Sequence, residues 1–365
     1  MEAKIRLGFV GANVSSTWSS QSHYPALLAS PDVELTAVCT SRPESAEEAR
    51  KAFGAKLAFH DYNEMVASPE IDAVAVVVRV PLHYGPTKAA IEAGKHVYTE
   101  WPLGQTTAEA EELAKLANAK GVQTVVGLQS RVSPALFYIK ELIEEGYVGE
   151  VLSCHVTTMR DGTLERPSSR TWNLDINQGA NTLTIANGHV IDALRFVLGD
   201  FTRVASMVTT QVQKMYITDT KQSIEATAPD NVRVSGQLKR GAAASVHVGA
   251  VPWAGSGFRM EIYGREGTIV TTGSVSSQRG EMLRVQGAKG GHELEDLTIP
   301  ERFVYVPADF PKGDPFNVGQ MYSLFAEAIR TGETRLPTFD TAVELHKFLD
   351  VIKQASDTGQ EQPVN

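Results

Sequence analysis

The sequence predicts an α/β chain in two parts. A doubly wound parallel sheet comes first, and an α+β part built on a large open, mostly antiparallel sheet follows. Three observations predict it. Up to about residue 128, short apolar runs alternate with amphipathic helical stretches, the pattern of βαβ units. From Val204 to about Tyr305 apolar residues recur with period two between turn residues, as in half-buried strands. A length of 365 residues is also long for a single core, so two domains, 1–128 and 129–365, are expected.

In chain order, strands are expected at Ile5–Val10, Glu34–Cys39, Ala73–Val78, His96–Thr99 and Thr124–Gly127. Helical spacing covers Tyr24–Ala29, Ser45–Phe53, Tyr62–Ala67, Pro86–Ala93 and Thr107–Lys120. Pro86 suits a first helical position, where its missing N–H is not needed, and Gly94 suits the stop just past the end. Ser45 with Glu47 and Glu48 gives an acidic first turn near a cap, favourable to the helix dipole. The pattern then changes to a helix over Ser133–Glu145, a strand over Gly149–Thr158, a long polar segment Arg160–Asn177 and a helix over Thr184–Leu198. Strands at Asn231–Leu238, Ala243–Ala250, Phe258–Tyr263 and Thr268–Thr271 carry the second sheet. Helices over Val318–Thr331 and Thr341–Ser356 follow, and the tail from Asp357 to Asn365 is expected to fray.

Composition excludes several classes. A formal charge of −9 argues against sequence-independent nucleic-acid binding and against docking on an anionic membrane. Cys39 and Cys154 are too few and too far apart for a disulfide framework or a Cys-rich metal site, so both are expected as buried, reduced thiols. The nine histidines are scattered without ligand spacing, and no metal site is expected. No apolar run approaches the roughly 20 residues of a membrane span, and Met1 to Arg6 leads straight into a strand. The expected location is the cytoplasm.

The first strand runs into Gly11-Ala12-Asn13-Val14-Ser15-Ser16. A dinucleotide fingerprint G-x-G-x-x-G would place glycine at 11, 13 and 16, and only Gly11 is present. Asn13 is the best non-glycine substitute, because it tolerates a left-handed backbone. Ser16 is small enough for close strand–helix packing. Gly11, Asn13 and Val14 are therefore candidate cofactor contacts, with an ordinary βα turn as the alternative. The second strand ends Cys39-Thr40-Ser41-Arg42, without the Asp or Glu that usually holds the ribose hydroxyls. Thr40, Ser41 and Arg42 suit a 2′-phosphate, while hydroxyls also serve plain NAD, so the expected cofactor is NAD(P)(H) with the choice open.

The strand His96–Thr99 ends in Glu100-Trp101-Pro102. Ligands of open parallel sheets bind beyond the carboxyl ends of the strands, which makes Glu100 and Trp101 candidate contacts. Trp101 either stacks on a nicotinamide or sugar face or fills the core.

An ordered set of residues carries a wider resemblance. Pro81 and His83, the run Glu92-Ala93-Gly94-Lys95-His96-Val97, the Glu-x-Pro corner, Val126 to Pro134, and Gly264-Arg265-Glu266-Gly267-Thr268 together resemble the glucose–fructose oxidoreductase / inositol dehydrogenase superfamily over nearly the whole chain. Ser22-His23-Tyr24-Pro25, Glu100-Trp101, Gln123-Thr124, Gln129, Glu165-Arg166-Pro167 and Gly188-His189-x-Ile191-Asp192 are similar, within it, to relatives of the yeast galactose-pathway repressor. The resemblance implies a Rossmann domain for the dinucleotide and a second domain whose open sheet makes homodimers or homotetramers. It also implies hydride transfer between the nicotinamide and a sugar or cyclitol carbon.

Where the family carries an acid/base Lys, this chain has Trp101; where many members carry Asp, it has Ile185. His189 survives as acid/base, suited by an ordinary imidazole pKa of about 6.5. Asp192, one turn on, either orients that ring or faces solvent. By the same resemblance Glu100 holds the nicotinamide ribose, His83 and Gln129 lie near the cofactor, and Arg131 is a further contact at the domain junction.

Arg160, Arg166 and Arg170 with Trp172 precede the His189 helix. Guanidinium forks suit carboxylate, phosphate or sulfonate, which points to a sugar bearing an anionic group. The alternative is solvated arginines pairing with Asp161, Glu165 and Asp175. Three functions remain open: an NAD(P)-dependent sugar dehydrogenase, a redox-assisted glycoside hydrolase that retains its cofactor, and a non-catalytic NAD(P)-binding sensor like the repressor.

Overall fold

The computed structural model describes residues 3–15, 18–274 and 283–364. Ser16, expected to pack a helix on its strand, lies outside them. The chain divides into two compact units. The first comprises 1–132 and 304–344, and the second 133–303 and 345–365.

In the first unit, β1 (Ile5–Val10), β2 (Val33–Cys39), β3 (Leu57–Phe59), β4 (Ala73–Val76), β5 (His96–Glu100) and β6 (Thr124–Gly127) form one sheet in the order 3-2-1-4-5-6. Every pair is parallel. Helices on both faces explain the unbroken apolar strands: all four residues of β4 are completely buried. Those helices are α1 (Tyr24–Ala29), α2 (Pro43–Phe53), α3 (Tyr62–Ala67), α4 (Tyr84–Glu92) and α5 (Thr107–Lys120). Thr106 caps α5 by accepting the Glu109 N–H at 3.2 Å, and Gly121 ends it at φ +65°. Ser45 does not cap α2. Pro43 opens that helix, and the Ser45 hydroxyl donates to the Arg42 carbonyl at 3.1 Å.

The order reverses between β1 and β4, so the glycine loop leaves β1 at the switch point where such sheets bind ligands. Gly11 is required there. Its φ is +91°, and a Cβ would sit 2.1 Å from the Val77 carbonyl oxygen.

The second unit holds α6 (Pro134–Glu144), α7 (Asn187–Leu198) and two sheets. Its strands are β7 (Val151–Arg160), β8 (Glu165–Arg166), β9 (Phe201–Thr209), β10 (Lys214–Ile217), β11 (Gln222–Glu225), β12 (Asn231–Leu238), β13 (Ala243–Ala250), β14 (Gly257–Gly264), β15 (Gly267–Gly273), β16 (Arg284–Lys289), β17 (Glu295–Asp296) and β18 (Gln362–Pro363). The large sheet runs 17-16-15-14-7-13-12-9-18, antiparallel except for the parallel pair of β7 with β13. Period two is plain in β12, where Val232 and Val234 are buried and Arg233 and Ser235 exposed. The small sheet, 11-10-8, recruits two residues of the polar segment through a parallel bridge of β8 to β10.

Two helices close the chain, α8 (Asp314–Thr331) and α9 (Phe339–Thr358). The sequence division at 128/129 gives way to one at Val132/Ser133, and residues 304–344 return to the first unit. The reason is the apolar side of α8, whose Val318, Met321, Tyr322 and Phe325 are at most 1% exposed and which packs on α1. The last turns of α9 belong to the second unit, where the Ser356 hydroxyl accepts the Val208 N–H at 2.8 Å. The tail does not fray. β18 pairs with β9, and the Val364 N–H donates to the Thr202 carbonyl at 2.8 Å, because β9 would otherwise leave an unpaired edge.

Both cysteines are buried, and desolvation pushes each thiol up to about 12, which keeps them unreactive. Among the described residues no helix is long and apolar enough to cross a membrane, and no group of three His, Cys, Asp or Glu is placed to hold a metal.

Gly11→Ala should cost roughly 2–4 kcal/mol, since backbone strain and an unavoidable clash add. A chemical denaturation midpoint unchanged from wild type would refute the close approach of β1 to the Val77 carbonyl.

Candidate cofactor and substrate residues

In the first unit the glycine loop is held from within. The Gly11 N–H donates to the Cys39 carbonyl at 3.0 Å and the Asn13 N–H to the Gly11 carbonyl at 2.7 Å. Asn13 is not in the left-handed region that its substitution for glycine anticipates. Its side-chain oxygen instead accepts the Ser15 N–H at 2.8 Å, and its carbonyl accepts the Ser19 hydroxyl at 3.1 Å. Val14 follows, half-buried.

At the end of β2 the Thr40 hydroxyl donates to that of Ser45 at 2.7 Å, and its oxygen lies 3.1 Å from the Arg42 carbonyl. Ser41 and Arg42 are exposed. No ion pair or side-chain hydrogen bond engages the Arg42 guanidinium among the described residues. That leaves its whole fork open to a phosphate.

Beyond β4 and β5 the side chains turn inward. The two ring nitrogens of buried His83 lie 2.7 Å from the Pro102 carbonyl and 3.0 Å from the Val78 carbonyl, which ties two strand ends together. Burial pushes its pKa down, against those carbonyls and the charge of Glu100. The Trp101–Pro102 peptide is cis, and Trp101 is 4% exposed.

Glu100 is the centre of a buried polar cluster. Its Oε1 accepts from His23 Nε2 at 2.9 Å, Gln129 Nε2 at 2.9 Å and the Tyr98 hydroxyl at 3.1 Å, and its Oε2 accepts from Gln129 at 3.0 Å. His23 Nδ1 lies 2.7 Å from the hydroxyl of Tyr322 on α8. Burial opposes ionisation, yet the hydrogen bond and charge of His23, with Gln129 and Tyr98, hold the Glu100 carboxyl below its ordinary value. Gly127 makes the room: a Cβ there would meet the carboxylate at 2.8 Å. Gln129 is fully buried, with its Oε1 lacking a partner among the described residues, and Arg131 is half-buried in the turn that follows.

In the second unit, His189 and Asp192 stand on the first turns of α7. A π-helical turn, Thr182–Ala186, leads into that helix and is capped by Asn181, whose side chain accepts the Leu183 and Thr184 N–H groups. Wide turns of this kind are frequent at functional sites. His189 is 5% exposed, and Asp192 is fully buried, so the solvent-facing alternative does not hold for it. Asn187 was missed by the sequence reading. It is fully buried, and neither polar atom of its amide has a partner among the described residues.

Arg160, at the end of β7, donates to the Thr182 hydroxyl at 3.2 Å and so joins the arginine segment to the turn before α7. Half-buried Arg166 donates to Asn173 Oδ1 at 2.5 Å and to the Arg170 carbonyl at 3.4 Å. Arg170 is exposed and Trp172 half-buried. Asp161, Glu165 and Asp175 do not neutralise these arginines. Asp175 accepts from the Asn177 N–H at 2.9 Å, and neither Asp161 nor Glu165 has an ion-pair partner among the described residues.

The missed members of the first cluster, His23, Tyr98 and Tyr322, carry no local signal: His23 and Glu100 are 77 positions apart. Because the Glu100 carboxylate titrates below its ordinary 4.5, its ionised form stabilises the fold above that pH, and the contribution disappears as pH falls through the folded value. Glu100→Gln should cost ~1–3 kcal/mol near neutrality. Unfolding followed downward from about pH 7 should show an acid-side loss in wild type that the variant lacks. Parallel pH profiles would contradict the charged cluster.

Residues 5–128 match the model of an oxidoreductase family with an NAD-binding Rossmann fold, and residues 134–273 match the model of the Gal80p C-terminal domain. A dehydrogenase of Aspergillus oryzae, aclE, is 28% identical over 99% of this chain and 98% of its own. The galactose/lactose metabolism regulatory protein GAL80 of Saccharomyces cerevisiae is 30% identical over 66% of this chain, which spans 59% of that longer protein. Levoglucosan dehydrogenase of Pseudarthrobacter phenanthrenivorans is 26% identical over 87% of this chain and 80% of its own. A solved levoglucosan dehydrogenase complex with NADH and levoglucosan shares the fold at a TM-score of 0.86 and 23% identity, covering 99% of this chain and 100% of that one. The first unit is thus similar to the oxidoreductase family with an NAD-binding Rossmann fold, and the second to the Gal80p C-terminal domain.

Proposed function

We propose that this protein is an NAD(P)-dependent dehydrogenase of a sugar or sugar derivative. The first unit holds the cofactor through Gly11, Asn13 and Val14 at the switch point. The second supplies His189 as the group that takes the proton of the oxidised hydroxyl. The observation that carries this is the head of α7: a buried imidazole with a buried carboxylate one turn on and an unsatisfied Asn187 amide beside it in the chain. An imidazole accepts a proton near neutrality, and a carboxylate on the same helical face stabilises the imidazolium that results. When bound, the cofactor supplies the hydride acceptor. Levoglucosan dehydrogenase among the relatives supports a sugar as substrate class.

NADP is favoured over NAD. No acidic residue ends β2 to hold the ribose hydroxyls, and the Arg42 fork is exposed and unengaged among the described residues. A cytoplasmic location and a homo-oligomer built on the open sheet accompany this proposal.

A second reading is favoured by the Gal80p match and by Trp101 where an acid/base Lys is usual: a sensor that binds NAD(P) and a protein partner without turnover. Absorbance at the nicotinamide band, with either cofactor and a panel of neutral and acidic sugars and their aryl glycosides, separates the readings. Reduced cofactor should accumulate. Released aglycone without net reduction would assign the glycoside hydrolase instead, and cofactor binding with neither outcome would assign the sensor.

His189→Ala should lower kcat by ~10²–10⁴ while leaving dinucleotide affinity unchanged. A variant that keeps wild-type turnover would remove His189 from the chemistry. Arg42→Ala should raise the KM for NADP about tenfold and leave that for NAD nearly unchanged. Equal effects on both would place Arg42 away from a 2′-phosphate.

A further inference from the structure

We propose that Arg166 and Arg170 recognise an anionic group, carboxylate or phosphate, on the sugar that the second unit takes. This rests on the dehydrogenase reading above and names the substrate class for it.

Arg166 carries a charge that lacks a counter-ion among the described residues. A guanidinium is always protonated, and removing it partly from water costs several kcal/mol unless an anion compensates. Among the described residues Arg166 has only neutral acceptors, Asn173 Oδ1 and the Arg170 carbonyl, and its Nε is buried with no partner at all. Burial and the nearby charge of Arg170 both push its pKa down, so its surroundings work against the cation. Three carboxylates stand within ten positions of Arg166 in the chain, Asp161, Glu165 and Asp175, and none is paired with it. A merely solvated arginine would turn to one of them.

The platform is built. β8 is bridged to β10, and the Ser168 N–H and hydroxyl donate to Asp219 at 2.8 and 2.5 Å. Leu174 packs with Met215, Ala226 and Ile224 in a small core beneath the segment. Arg166 is therefore held in place, with its Nε unengaged. Arg160, which precedes Arg166 in the same segment, bonds the Thr182 hydroxyl in the turn that opens into α7. A bidentate fork prefers planar or tetrahedral oxyanions, which is the chemistry of a uronate or a sugar phosphate rather than a neutral hexose.

The test is calorimetry on the full chain saturated with NAD(P), using D-glucuronate, D-glucose 6-phosphate and D-glucose as probes and inorganic phosphate as competitor. At least one acidic sugar should bind roughly tenfold or more tightly than D-glucose. Arg166→Gln should abolish that preference, and Arg166→Lys should keep part of it, because it retains charge and loses the fork. Arg170→Gln, at an exposed position, should weaken the preference without a change in melting temperature. Equal affinities for the three sugars, or a preference that survives both glutamine variants, would overturn the proposal. So would saturation by inorganic phosphate with no acidic sugar following it. Formation of reduced cofactor is scored separately, so the anion site can fail while the dehydrogenase stands, and the reverse.

Discussion

An ionised carboxylate at the carboxyl end of a buried parallel strand constrains the first unit more than any other interaction. Left alone, buried Glu100 would cost several kcal/mol. Donors from three other positions remove that cost: His23 from the helical turn after the glycine loop, Tyr98 from the same strand, and Gln129 from the turn after β6. His23 is in turn held by Tyr322, so α8 is drawn into the first unit although more than 170 residues of the chain lie between it and β6. Gly127 completes the arrangement by having no side chain where the carboxylate sits. Because the cluster fixes the direction of the chain at Glu100, it also fixes where Trp101 and Pro102 leave the sheet.

The glycine loop illustrates a separate constraint. Gly11 is required by the Val77 carbonyl, a need of the fold whether or not a nucleotide is bound. Position 13 does not need glycine in this chain, since Asn13 keeps an ordinary backbone and closes the turn through its side chain. Counting glycines against a fingerprint therefore understates how well the loop is formed. What the motif measures is how closely a backbone can approach a phosphate, and the tip of this turn is exposed Asn13 and half-buried Val14.

The parallel sheet was legible because its strands are apolar on both faces and its helices amphipathic, both local properties. β3 was not, since three half-buried residues are too few to show a period. Candidate positions could be named where topology suggests them: Gly11, Arg42, Glu100 and His189 all follow strand ends or open a helix. Their partners were not legible, because contacts such as His23 with Glu100 depend on which strand ends meet. The return of 304–344 and the pairing of β18 with β9 are long-range facts of the same kind. The polar segment was readable as arginine-rich, whereas its anchoring by β10 and Asp219, some 50 positions away, was not.

Trp101 in place of a lysine shifts charge as well as chemistry. A lysine must lose its proton before it can serve as a base, and it leaves a cation beside the nicotinamide end of a dinucleotide. In the proposed dehydrogenase His189 would take the proton instead, with the Asp192 carboxylate one helical turn away. The corner of the first unit then carries no lysine, and its Glu100 carboxylate is met by His23, Gln129 and Tyr98. The uncompensated positive charge of the candidate site lies instead with Arg166 in the second unit, in a chain of net charge −9. In the proposed dehydrogenase, such a charge would draw an anionic sugar to the second unit.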